Sequence, residues 1–244
     1  RKTGQHPPSL PARNHRLEMK ITPISRIGLH LVKNWRETKI HAGLHKTGST
    51  SLQQSLRSSG LLYPSVRADF RDPDRFQEVL GLASQRKKIV SSEHLFGEML
   101  SMYDSATERF AAVKKTLERS ETTLYLRPHP EWHSSSFSQF IQQGSNLGAD
   151  AYEKSVSEAR YFSWKQLATD LLNLSDSSSK VLIRAAKNVI LDYSHVIGVP
   201  LGQETRHNSS LSPLAIEAYI RLSEEGFMEP VLLRRALRGF SLES

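Results

Sequence analysis

Cysteine is absent from this chain of 244 residues, and long apolar runs are absent as well. Without cysteine the protein has no disulfides, no thiolate metal ligands and no cysteine nucleophile, which fits a reducing compartment. A membrane-spanning helix needs about 20 apolar residues, so we expect no span and a cytoplasmic location. The sequence begins with Arg1 rather than methionine, which leaves open a trimmed N-terminal anchor or signal.

Acidic residues are the minority among the charged residues, with 25 Asp and Glu against 33 Lys and Arg, and the net charge is +8. A basic surface attracts anions, among them nucleic acid, anionic lipid and phosphorylated or sulfated small molecules. The sequence has no aromatic RNA-binding motif, helix–turn–helix or zinc finger. We therefore expect no nucleic-acid partner, whereas small anions remain candidates.

The distribution of proline and of hydrophobic periodicity divides the chain in two. Residues 1–37 scatter basic residues among Pro7, Pro8, Pro11 and Pro23 without sustained periodicity, which predicts a basic, partly disordered N-terminal arm. The remainder, 38–244, has the size and pattern of a single domain.

Short apolar stretches alternate with helical patterns along this domain. Strands are predicted at 39–44, 88–91, 123–126 and 180–183. Helices are predicted between and after them, at 51–59, from Asp72, over 104–118, from Pro130 to Gly144, over 154–174, over 188–196 with Gly198 as its stop, and from Ser212. This order is typical of an α/β fold with three α/β/α layers, in which a central parallel sheet carries helices on both faces.

The glycine-rich loop Gly-Leu-His-Lys-Thr-Gly-Ser-Thr, residues 43–50, lies between the first predicted strand and the first predicted helix. A loop in this position directs backbone N–H groups and a helix N-terminus at one small volume, which is suited to an anion. Gly48 allows close approach of the backbone, and Lys46 supplies a cation. Hydroxyl donors come from Thr47, Ser49, Thr50 and Ser51.

The loop has the glycine spacing of the Walker A motif, but Ser49 stands where that motif has lysine. A nucleotide kinase or NTPase requires that lysine on the β- and γ-phosphates together with a magnesium carboxylate. This function is kept as an alternative. Lysine at the front of the loop, at Lys46, instead suits a donor in which a phosphate is the leaving group.

Residues 45–53 resemble the 5′-phosphosulfate loop of sulfotransferases that use PAPS (3′-phosphoadenosine 5′-phosphosulfate), especially bacterial and heparan-type members. The resemblance implies a P-loop-NTPase-like sulfotransferase fold, PAPS as donor, PAP as product and no metal. It further implies that residues 46–51 hold the phosphosulfate and that Lys46 acts on the departing phosphate oxygen.

A second motif begins at the end of the third predicted strand, where Arg127 is followed eight residues later by Ser135. The stretch 125–135 resembles the 3′-phosphate motif of the same family. A guanidinium can bind phosphate through two charge-assisted hydrogen bonds, and a hydroxyl can complete the contact. Both residues are therefore expected to bind the donor.

Candidate bases follow the second predicted strand, in Ser-Ser-Glu-His at residues 91–94. Parallel sheets carry their active sites at the carboxyl ends of the strands, and sulfuryl transfer to a hydroxyl or amine needs a base near the acceptor. The family uses glutamate or histidine at about this position. Glu93 is our candidate base, and His94 is the alternative.

A third stretch, at 206–213, is similar to the R-x-N-x-S-L-S segment of bacterial members and implies that Arg206 and Asn208 also bind the donor. The R-K-G triplet of cytosolic sulfotransferases is absent. Residues 146–179 match the family weakly, so the acceptor, a small molecule or a carbohydrate, stays open. A non-catalytic relative that binds anions or polysaccharide is a further alternative.

Overall fold

The computed structural model describes residues 35–45, 47–64, 70, 72–99, 101–142, 149–202, 216–218 and 221. Four strands occupy the described residues at their expected places. Their bounds are β1 Thr38–Gly43, β2 Val90–Ser92, β3 Ser120–Tyr125 and β4 Ser179–Arg184.

These strands form one sheet with the order β2-β1-β3-β4, and every neighbouring pair is parallel. In this register Gly43 at the end of β1 is the partner of Tyr125 at the end of β3, and Ala42 is the partner of Ser92 at the end of β2. The carboxyl ends of three strands therefore meet at one edge, which we call the carboxyl edge.

Helices cover both faces of the sheet and confirm the predicted three-layer α/β/α architecture. On one face Ile40, Ala42 and Leu124 join the larger buried cluster; on the other, Tyr125 packs in a smaller cluster with Leu52. The helices are α1 Ser49–Ser58, α2 Pro73–Gln85, α3 Ala106–Thr116, α4 His129–Gln142, α5 Ala149–Ser157, α6 Trp164–Leu174 and α7 Val189–Ile197. Among the described residues, none of these helices is long and apolar enough to cross a membrane.

The single helix predicted over 154–174 is wrong, because the structure has α5 and α6 with a break between them. Tyr161 lies in the break and is fully buried, and its hydroxyl donates to Oδ2 of Asp170 at 3.1 Å. Ser163, the residue before α6, has extended backbone angles. The local sequence pattern would permit one continuous helix. The chain breaks here instead, because the break lets Tyr161 be buried in the core.

Candidate functional site

The segment between β1 and α1 turns back on itself before the helix begins. Thr47 makes two hydrogen bonds to the carbonyl of Leu44, from its backbone N–H at 3.3 Å and from Oγ1 at 2.6 Å. Gly48 then adopts a left-handed conformation with φ 87°, which glycine accepts without steric cost. Helix α1 starts at Ser49, so the backbone N–H groups of its first turn lie at the carboxyl edge.

Gly43 allows the loop to pack closely against the end of β1, because it has no side chain. A Cβ atom at Gly43 would lie 1.8 Å from Oγ of Ser49 and 2.7 Å from Cε1 of His41. Ser49 itself is buried. The loop can therefore pack on the end of β1 only because residue 43 is glycine.

The floor beneath the loop is uncharged. His41 is fully buried, and burial lowers the pKa of its imidazole to about 3, so the ring is neutral at physiological pH. Its Nδ1 lies 2.7 Å from Oγ of Ser91 on β2, and its ring packs between Tyr125 and Tyr193. His41 therefore adds no charge beneath the loop, and any charge that acts on a bound anion comes from residues at the carboxyl edge.

Both candidate bases lie beside the loop. Oγ1 of Thr50 is 3.4 Å from Oε1 of Glu93, so this carboxylate reaches the first turn of α1. Nδ1 of His94 lies 3.2 Å from Oε1 of Glu98, an ion-pair distance whose angles fall outside hydrogen-bond geometry. Glu98 was not anticipated from the sequence.

Arg127 and Ser135 lie next to each other at the carboxyl edge. Arg127 follows β3, Ser135 lies on α4, and Nη1 of the arginine donates to Oγ of the serine at 3.3 Å. Nε of Arg127 also binds Oε2 of Glu131 at 3.0 Å, a contact that the sequence analysis missed. The indole of Trp164 donates to the backbone carbonyl of Arg127 at 3.0 Å and fixes the chain there.

Two aromatic side chains connect the loop to this second motif, and neither was predicted. The hydroxyl of Tyr103 accepts from the backbone N–H of His45 at 2.9 Å and lies 3.1 Å from Nδ1 of the same residue. The indole of Trp132, on α4, donates to the carbonyl of His45 at 3.0 Å. These contacts join residues 58 and 87 positions apart, so the local sequence pattern does not predict them.

The structure thus brings Thr47, Gly48, Ser49, Thr50 and Ser51 to the same edge as Glu93, His94, Arg127 and Ser135. Lys46, Arg206 and Asn208 lie outside the described residues. Comparison of the chain with models of protein families, with curated proteins and with solved structures found no match.

Proposed function

We propose that the protein is a sulfotransferase that transfers a sulfuryl group from PAPS to a hydroxyl or amine of a small-molecule or carbohydrate acceptor. The observation that carries this proposal is the hydrogen bond between Arg127 and Ser135 at the edge that also carries the loop. Two anion-binding groups at one edge match a donor with two separate phosphate-bearing ends. A nucleoside triphosphate, in contrast, carries its phosphates at one end only.

Binding of the phosphosulfate is assigned to the loop and the start of α1. The N-terminal N–H groups of α1 and the hydroxyls of Thr50 and Ser51 supply donors, and the helix dipole favours an anion there. Arg127 and Ser135 bind the 3′-phosphate, which displaces Glu131 from part of the guanidinium. Lys46 adds a cation at the bond that breaks, as the family resemblance implies.

In the transfer step the acceptor oxygen or nitrogen attacks sulfur in line with the bond between sulfur and the phosphate oxygen. The new bond to sulfur forms as that bond breaks, and its electrons leave with PAP. Glu93 takes the acceptor proton, and Lys46 stabilises the charge on the departing oxygen. The contact between Glu93 and Thr50 supports this role, because it holds the carboxylate next to the loop. His94, beside Glu98, is the alternative base.

A nucleotide kinase or NTPase is the second candidate, and the same contact favours it. Magnesium sites of such enzymes combine a hydroxyl of the loop with a carboxylate from a neighbouring strand end. Thr50 and Glu93 are a pair of this type. Ser49, which stands in place of the Walker lysine, argues against this candidate, as does the anion-binding pair at Arg127.

The 3′-phosphate contact is tested by Arg127→Ala. This change should weaken PAP binding by about 10- to 100-fold, since a hydrogen bond to a charged group contributes about 1.5–3 kcal/mol. Affinity for adenosine 5′-phosphosulfate, which lacks the 3′-phosphate, should change little. Calorimetric titration of both ligands measures the difference.

The matched control is Arg160→Ala, which removes another partly exposed arginine that pairs with a carboxylate at 3.1 Å, far from the loop in sequence. It should leave both affinities unchanged. Equal losses for PAP and adenosine 5′-phosphosulfate in the Arg127 variant would mean that Arg127 supports the fold rather than the 3′-phosphate.

A further inference from the structure

Tyr103 has an unusual backbone that the proposed reaction does not explain. Met102 and Tyr103 are consecutive non-glycine residues with positive φ angles of 46° and 59°. Both side chains are fully buried. Left-handed conformations of such residues cost energy and persist where the surrounding structure imposes them, often next to functional groups. This conformation places the hydroxyl of Tyr103 against the loop.

The hydrogen bonds of that hydroxyl decide the protonation of His45. Its oxygen accepts from the backbone N–H of His45 at 2.9 Å. A buried hydroxyl must also donate its proton, and among the described residues the acceptor that it reaches is Nδ1 of His45 at 3.1 Å. Burial raises the pKa of Tyr103 far above its ordinary value, so the proton stays on the oxygen. Nδ1 then carries no proton, which leaves the proton of the neutral ring on Nε2.

The backbone of His45 is held at the same time. Its N–H is bound by Tyr103, and its carbonyl accepts from the indole of Trp132 at 3.0 Å. His45 is itself buried and immediately precedes residue 46 in the loop. Its ring packs edge-on against the ring of His94, with 4.9 Å between the ring centroids. Two rigid aromatic groups therefore determine where the chain enters the loop.

We propose that Tyr103 is a positioning residue of the anion site, which holds His45 as the neutral tautomer protonated on Nε2 and fixes the backbone that leads into residue 46. His45 belongs to the glycine-rich loop, and a ring N–H in this loop favours an anion, whereas a second ring lone pair would disfavour one. The tautomer follows from assigning the hydroxyl proton of Tyr103 to Nδ1 of His45. Its consequence for PAP binding rests on the proposed function.

The tautomer is measured by nitrogen-15 NMR of the imidazoles in the unliganded protein, with the signals of His45 assigned by their loss in His45→Gln. The wild-type protein should show an unprotonated Nδ1 and a protonated Nε2. Tyr103→Phe should change this pattern to a mixture of tautomers. Tyr161→Phe is the matched control, because it removes another fully buried hydroxyl, bound to Asp170 at 3.1 Å, and should leave the pattern unchanged.

Calorimetry with PAP tests the consequence. Tyr103→Phe should raise Kd by about 3- to 10-fold, the usual net value of one hydrogen bond. His45→Gln places an amide N–H near the position of Nε2 and should stay within about 3-fold of wild type. His45→Asn lacks that group and should lose affinity as Tyr103→Phe does. If Tyr103→Phe does not fold, the wild-type spectrum and the two His45 variants decide the question.

Three results would overturn the proposal: a protonated Nδ1 in the wild-type protein, an unchanged spectrum of a folded Tyr103→Phe variant, or equal PAP affinity of the Gln and Asn variants. Failure of the proposed function looks different. In that case wild-type protein does not bind PAP, while the spectrum of the unliganded protein still reports the predicted tautomer and its loss in Tyr103→Phe.

Discussion

Replacing Glu93 by glutamine should lower turnover by about 10²–10⁴-fold, the usual contribution of general acid–base catalysis, while PAP binding stays close to wild type. Glutamine keeps the size of the side chain and an oxygen near Thr50, which lies 3.4 Å from the carboxylate. The glutamine amide cannot take up the proton of the attacking hydroxyl or amine. The loss should appear in kcat, because the interaction matters most in the transition state.

The assay uses radiolabelled PAPS and a panel of sugars, phenols and amines, and the acceptor with the highest wild-type rate is carried forward to the variants. His94→Ala is the parallel variant and should be milder. Its side chain is mostly buried and lies beside Glu98, so its thermal stability is measured with its activity. A severe His94 variant with a mild Glu93 variant would reassign the base to histidine. Loss of PAP binding in both would mean that the pair is structural.

Replacing Gly43 by alanine should destabilise the fold and disable the loop together. The added Cβ would fall 1.8 Å from Oγ and 2.9 Å from Cβ of Ser49, and 2.7 Å from Cε1 of His41. Real Cβ atoms do not approach so closely, so Ser49 and the first turn of α1 must move. Overpacking of a well-packed site costs about 1–3 kcal/mol and sometimes more. We expect about 3 kcal/mol in urea unfolding and at least a tenfold weaker affinity for PAP.

Gly81→Ala is the matched control, since it adds the same methyl group to a glycine of helix α2. A Cβ there meets no atom within 4 Å. Alanine should stabilise this helix by about 0.5–1 kcal/mol and leave PAP binding unchanged. A Gly43→Ala variant with wild-type stability and affinity would contradict the packing of Ser49 on the end of β1.

Elements marked by local chemistry could be predicted from the sequence. Asp72 was expected to begin a helix, and its side chain accepts hydrogen bonds from the backbone of Asp74 and Arg75. Gly198 was expected to end one, and it adopts the left-handed conformation at the end of α7. The parallel sheet followed from the alternation of such elements, because strands joined through helices pair in parallel.

Contacts between distant segments could not be predicted in the same way. Arg127 and Ser135 were named together because of the family resemblance, and they share a hydrogen bond, but Glu131, which also binds the arginine, was overlooked. Tyr103 and His45 are 58 residues apart in sequence. Their hydrogen bond depends on the left-handed backbone of Met102 and Tyr103, which these residue types do not predict. The break between α5 and α6 likewise depends on tertiary burial of Tyr161.

Calorimetric titration of the unmodified protein with PAP, and in parallel with ATP and magnesium, tests the central claim most directly. The loop and the Arg127–Ser135 pair together predict saturable PAP binding and little or no binding of magnesium ATP, which has no 3′-phosphate. Tight binding of magnesium ATP without binding of PAP would contradict the sulfotransferase proposal and assign Thr50 and Glu93 to a magnesium site instead.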